Sequence, residues 1–174
     1  MTATEHLERV ETDWKWADQF IPQIKRIVGP HLLVPSSLEV DRNQAADLVV
    51  LTARNLTIAC RMRRPGYLPL YRNHFTMRSQ RDNGTKTELA KIREGWGDWM
   101  FYGHASDDHG RIVLWWLLDL AAWREHMLAD HLKPDGKHIV QGDINSHDGT
   151  HFRYFDATTF YSEPNLVIAK SHEF

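Results

Sequence analysis

The sequence predicts an α+β domain, a mixed α/β arrangement in which helices pack on a central mixed sheet. Three observations carry that expectation. A stripe of helical period near the N-terminus gives way to short β-favouring runs between residues 38 and 78. A hairpin pattern follows near residue 108, and a second helical stripe follows the hairpin.

In the first stripe, residues 12 to 28, Trp14, Ala17, Ile21, Ile24 and Val28 recur at helical spacing. Thr12 or Asp13 is placed to cap it and Gly29 to stop it. Pro22 implies either a kink or a second helix that starts with proline in its first turn. The runs Leu38 to Asp41, Asp47 to Leu51, Leu56 to Arg63 and His74 to Arg78 read as strands. In the third run, alternation puts Ile58, Cys60 and Met62 on one face and Thr57, Ala59, Arg61 and Arg63 on the other. In the fourth, Phe75 and Met77 oppose His74, Thr76 and Arg78, so pairing of the two runs would gather Arg61, Arg63, Thr76 and Arg78 on one polar face.

Thr87 is placed to cap a short helix from Glu88 to Glu94 that ends at Gly95. Trp99 to Tyr102 and Ile112 to Leu117 form the expected hairpin around Asp107, Asp108, His109 and Gly110. The second helix spans residues 118 to 132, with Leu118, Ala121, Ala122, Leu128, Ala129 and Leu132 as its stripe. Further strands are expected at Ile139-Val140, Phe152 to Phe155 and Leu166 to Ala169.

Length and composition bound the rest. At 174 residues the chain suits a single domain, 1–174, and 42% hydrophobic residues are enough to build a core and to exclude a disordered class. The single cysteine, Cys60, excludes an internal disulfide and fits a reducing compartment. With no apolar run long enough for a membrane span and no secretion-type N-terminus, a cytoplasmic protein without membrane contact is expected.

The net charge of −2 conceals an uneven distribution. Between Arg54 and Arg93, basic residues greatly outnumber the acidic pair Asp82 and Glu88. Such a stretch is either a solvated basic face or a phosphate-binding surface, with Arg61, Arg63 and Arg78 as the candidate nucleic-acid-binding residues. Trp96 and Trp99 are candidates for base stacking or for core packing. Asp98, beside both, calls for a partner such as Arg78. The histidine groupings (His104 and His109 around Asp107 and Asp108, His126 with His131, His147 and His151 with Asp148) lack the spacing of a metal site. Cys60 alternates with apolar residues and is expected in the core.

The segment Asp47 to Leu51 (DLVVL), followed by Leu56 to Arg64 (LTIACRMRR), resembles the core of PD-(D/E)XK nuclease-like proteins. The likeness runs over residues 10 to 105. The resemblance implies a nuclease-like core in which Asp47 matches the family's strand-borne aspartate, and Glu11 a helical glutamate. It implies Mg²⁺-dependent phosphodiester hydrolysis, in which carboxylates hold the ion and a lysine orients the attacking water. The second strand departs from the pattern, because Arg61-Met62-Arg63 stands where the family has Glu-x-Lys, and arginine neither binds a metal nor acts as a base. Glu88 and Lys91, one turn apart on the following helix, are the substitutes: Asp47 and Glu88 as metal ligands, and Asp47, Glu88 and Lys91 as the catalytic set. An ordinary helix start, with an acidic residue favoured by the helix dipole and Lys91 solvated, is the preferred reading of the pair.

The segments Phe75 to Gly84 and Gly95 to His104 also resemble phage or prophage proteins of unassigned function. The expectation is therefore a nuclease-like protein that engages DNA or RNA, either an endonuclease or an inactive relative. The alternatives are a non-catalytic phage or prophage protein that binds a protein partner, and an oligomeric particle component.

Overall fold

A computed structural model describes residues 12–13, 15–35, 48–50, 56–81, 84–108, 110–130, 141–145, 150–162 and 165–171. Within them both helices and mixed sheets are present, as expected of an α+β fold. The expected strand Leu38 to Asp41, the turn residue Asn83 and the run Ile139-Val140 lie outside the described residues.

The N-terminal stripe is broken at Pro22. Residues 15–18 are helical, and a new helix, α1 (Ile21–Val28), begins with the proline in its first turn, where a missing N–H costs nothing. Gly29 does not stop it by a left-handed turn. Its φ is −49°, and the chain tightens instead into a 3-10 turn, Gly29–Leu32. Beyond that turn β1 (Leu33–Pro35) pairs antiparallel with β2 (Leu48–Val50).

The central sheet has four strands in the order β3 (Ile58–Arg63), β5 (Trp99–Ala105), β6 (Ile112–Asp119) and β9 (Val167–Lys170). β3 runs parallel to β5 and the other neighbours are antiparallel, so the sheet is mixed. β5 and β6 form the expected hairpin. Asp108 closes its turn by accepting from the Ser106 hydroxyl and, at 3.0 Å, from the Gly110 amide. Gln23 of α1 pins the same turn, donating to the Gly110 carbonyl at 2.8 Å and accepting from the Ile112 amide at 3.1 Å.

A second, three-stranded antiparallel sheet has the order β4 (His74–Gln80), β8 (His151–Asp156) and β7 (Gln141–Asn145). β3 and β4 therefore do not pair. They are edge strands of different sheets. Short helix α2 (Leu68–Tyr71) follows the turn at Pro65-Gly66, α3 (Glu88–Arg93) follows β4, and α4 (Leu120–Asp130) leaves β6 directly. Thr87 caps α3 by accepting from the Ala90 amide at 3.3 Å, and Gly95 follows at φ +97°, both as the sequence predicts.

The two faces of the central sheet are covered differently. On one face Phe20, Ile24 and Val28 pack against Phe101, Leu117 and Ala105, with Ile58 and Met62 beside them. Gly103 makes that packing possible for Met62, whose sulfur would lie 2.8 Å from any Cβ at this position. On the other face Met100, Tyr102, Leu114, Trp116 and Leu118 meet Phe75, Met77 and Phe155 of the second sheet, with Leu89 and Ile92 of α3 and Trp123 and Met127 of α4. The stripe expected on α4 holds at Ala122, which is buried, and is corrected at two other positions, while Leu132 lies outside the described residues. Leu118 belongs to β6, Ala121 is exposed, and Trp123 and Met127 are the anchors. Cys60 is also corrected: as the edge strand of its sheet, β3 leaves the residue exposed despite its alternation with Ile58 and Met62. No helix is long and apolar enough to cross a membrane among the described residues.

Candidate nucleic-acid interface

The side chains of Arg61 and Arg63 leave β3 on the face that meets the second sheet, where Arg63 reaches Thr76 on its edge strand β4 and Arg61 reaches Phe152 on β8. There the three arginines singled out from the sequence converge without strand pairing. The Arg61 guanidinium forms an ion pair with Glu88 and lies 5.3 Å from the centroid of Phe152. Arg78, the register partner of Phe152 across β4 and β8, places its guanidinium 5.7 Å from the same ring. Arg63 donates to the Tyr102 hydroxyl at 2.7 Å and to the Thr76 hydroxyl, and sits 5.3 Å from the Tyr67 ring. Thr76 and Tyr102 share a further hydrogen bond of 3.1 Å, which makes this a closed polar seam between the two sheets.

Glu88 has a structural task. Its Oε2 accepts from Arg61 and, at 3.3 Å, from the Arg78 amide, so the first residue of α3 is tied to both sheets. A carboxylate at this helix start is also favoured by the helix dipole. Lys91, one turn on, is exposed. Asp47 and Glu11, the remaining residues of the expected catalytic arrangement, lie outside the described residues. Among the described residues no three His, Cys, Asp or Glu side chains group as a metal site.

Next to the arginines runs an aromatic series that the sequence did not suggest. Tyr67 and Tyr71 have centroids 6.0 Å apart, Tyr71 and His74 5.6 Å, and His74 stacks on Tyr154 at 4.5 Å and 17°. Gly142 on β7 admits the Tyr154 ring, since a Cβ there would lie 2.5 Å from it. Tyr67 opens this series to solvent at 43% exposure, and Leu70 beside it is 73% exposed. Of the two tryptophans that are candidates for base stacking or core packing, Trp99 is in the core, as the core reading expects, and Trp96 is 68% exposed.

Asp98 does not meet Arg78. It is exposed and accepts from the Thr57 amide and hydroxyl, each at 2.8 Å, and these bonds, the amide first, hold its carboxyl below the usual carboxylate range. His104, adjacent in register to Arg63, is completely buried between Tyr102 and Trp116, and neither ring nitrogen has a hydrogen-bond partner. Burial first, and the Arg63 charge second, push its imidazole down to about 4, so it is neutral at physiological pH. His109, His131, His147 and Asp148 lie outside the described residues.

A second polar concavity lies where α3 meets the far end of the second sheet. It has a volume of about 470 Å³ and is lined by Ser79, Gln80, Arg93, Asp143, His151 and Arg153 over Leu89. Arg153 is held there by Asp143 through two bonds of 3.0 and 3.2 Å. No family model matches this chain, and no curated protein or solved structure matches it.

Proposed function

We propose that this chain binds nucleic-acid phosphate through the seam of Arg61, Arg63 and Arg78. The observation that carries the reading is that each of these guanidinium groups lies over an aromatic ring, Phe152 or Tyr67. A guanidinium stacked on a ring is held in orientation, and Arg61 and Arg63 keep further N–H donors beyond those used internally. Phosphate contacts of that kind provide the affinity and salt dependence of nucleic-acid binding. A cytoplasmic setting fits the single cysteine.

The commitment of Glu88 to Arg61 supports binding over Mg²⁺-dependent hydrolysis. In the hydrolytic form Asp47 and Glu88 would hold the ion and Lys91 would serve the water, as the nuclease-like resemblance implies. Exposed Tyr67 and Leu70 favour a second reading, in which the same face meets a protein partner, as for an inactive phage or prophage relative.

Fluorescence anisotropy with labelled DNA and RNA, single-stranded and duplex, tests all three. Affinity should fall steeply with salt, and Arg78→Ala should weaken binding about tenfold while lowering the salt slope by about one. No binding at about 50 mM salt overturns the phosphate reading and leaves the protein-partner one. Mg²⁺-dependent cleavage that disappears in Asp47→Ala would establish the hydrolytic form.

A further inference from the structure

We propose that the concavity between α3 and the far end of the second sheet is a separate binding site for a phosphate monoester. Arg61, Arg64, Arg111 and Arg153 each meet a carboxylate. Arg93 lines this concavity and makes no side-chain ion pair or hydrogen bond among the described residues. Arg153, opposite, is fixed in place by the fork of Asp143, which leaves part of its guanidinium for a ligand. His151, Gln80 and Ser79 complete the wall with an imidazole, an amide and a hydroxyl.

The donor set selects the ligand. Two guanidinium groups offer more N–H donors than the two oxygens of a carboxylate can accept, whereas a tetrahedral phosphoryl group presents three terminal oxygens and a charge near −2. Asp143 offsets one of the two arginine charges, so the site retains net positive charge from Arg93. The volume of about 470 Å³ exceeds what a single phosphate fills and leaves room for an organic group on the phosphoryl. Leu89 is the apolar side chain in the lining that such a group would meet. The site draws on none of Arg61, Arg63 and Arg78, and it stands whether or not nucleic acid binds at the seam.

Isothermal titration of the full chain with a nucleoside 5′-monophosphate, the parent nucleoside and inorganic phosphate tests the assignment. The monophosphate should bind more tightly than either fragment. Arg93→Ala should weaken it at least about tenfold, with an unchanged circular-dichroism spectrum and melting temperature. Lys25→Ala, which removes an exposed charge on α1, should leave the affinity as it is. Equal binding of the nucleoside and the monophosphate overturns the proposal, as does equal binding of inorganic phosphate and the monophosphate. Equal loss in Arg93→Ala and Lys25→Ala, or no heat with the monophosphate at millimolar concentration, overturns it too.

Discussion

The two faces of the central sheet are made from the same strands but solve different problems. The face under α1 is closed mainly by apolar side chains, with Phe101 and Trp115 stacked at 5.8 Å and Phe20, Ile24 and Val28 laid across them. The face toward the second sheet is apolar at its centre and ionic at its edge, where Arg61, Arg63 and Glu88 fill the junction of β3 with β4. The difference follows from what covers each face. A helix with one apolar stripe can cover a uniform surface, whereas two packed sheets leave long polar side chains at the margin where β3 and β4 are edge strands. Function is therefore expected on the second face, and stability without function on the first.

Paired truncations give the largest effect and test that division. Leu117→Ala on the α1 side and Trp116→Ala on the other should each cost about 3–5 kcal/mol, because both remove fully buried side chains and leave cavities. Only Trp116 touches Tyr102 and His104, with centroids at 6.1 Å in each case. Under conditions where both variants remain folded, Trp116→Ala alone should also weaken nucleic-acid binding. Urea denaturation together with anisotropy measures both quantities. Equal loss of binding in the two variants would erase the functional difference between the faces.

Protonation provides a smaller perturbation confined to the second face. His104 is buried with both nitrogens unbonded, and its imidazole is held near 4 in the folded chain against about 6.5 when unfolded. In that window the unfolded chain binds a proton that the folded chain does not. Its contribution is thus intact above about pH 6.5 and is lost progressively as pH falls toward 4, by on the order of 3 kcal/mol at full extent. Asp98 adds its own loss only below the ordinary carboxylate value, because its Thr57 bonds lower its titration. The urea midpoint of wild type should therefore fall between about pH 7 and pH 4.5, and that of His104→Leu should fall less. Identical pH dependence in the two proteins would show that the imidazole is not shielded as described.

How much of this was legible in the sequence depended on the range of the interactions. Thr87, the β5–β6 hairpin and the strand alternation of Arg61 and Arg63 were readable, because caps, turns and period-two faces are set by neighbouring residues. The convergence of Arg61, Arg63 and Arg78 was anticipated for the wrong reason. Pairing of β3 with β4 would bring them together, but the contact arises between two packed sheets, a long-range arrangement that alternation does not encode. Asp98 carried a signal for needing a partner but none for which one, and the backbone of Thr57 supplied it. The Tyr67, Tyr71, His74 and Tyr154 series escaped notice because β8 lies far along the chain from β4. The concavity at Arg93 likewise joins α3 to β7 and β8, and no local spacing marks it.

The smallest change sharpens the role of Glu88. Glu88→Gln keeps the shape and an acceptor for Arg61 and the Arg78 amide but removes the charge, and both Arg61 and Glu88 are mostly shielded, with side chains 19% and 27% exposed. The variant should lose about 1 kcal/mol, the difference between a charge-assisted and a neutral hydrogen bond in a partly buried setting. If Glu88 acts as the tie between α3 and the two sheets, that loss is the same with and without Mg²⁺. A carboxylate that instead held the ion would make wild type, but not the variant, more stable as Mg²⁺ is added, since a ligand that binds only the folded state raises its stability. Thermal denaturation across a Mg²⁺ series reads the two outcomes directly. The ion pair with Arg61 predicts parallel curves, because a metal at Oε2 would have to displace a guanidinium already in contact with it.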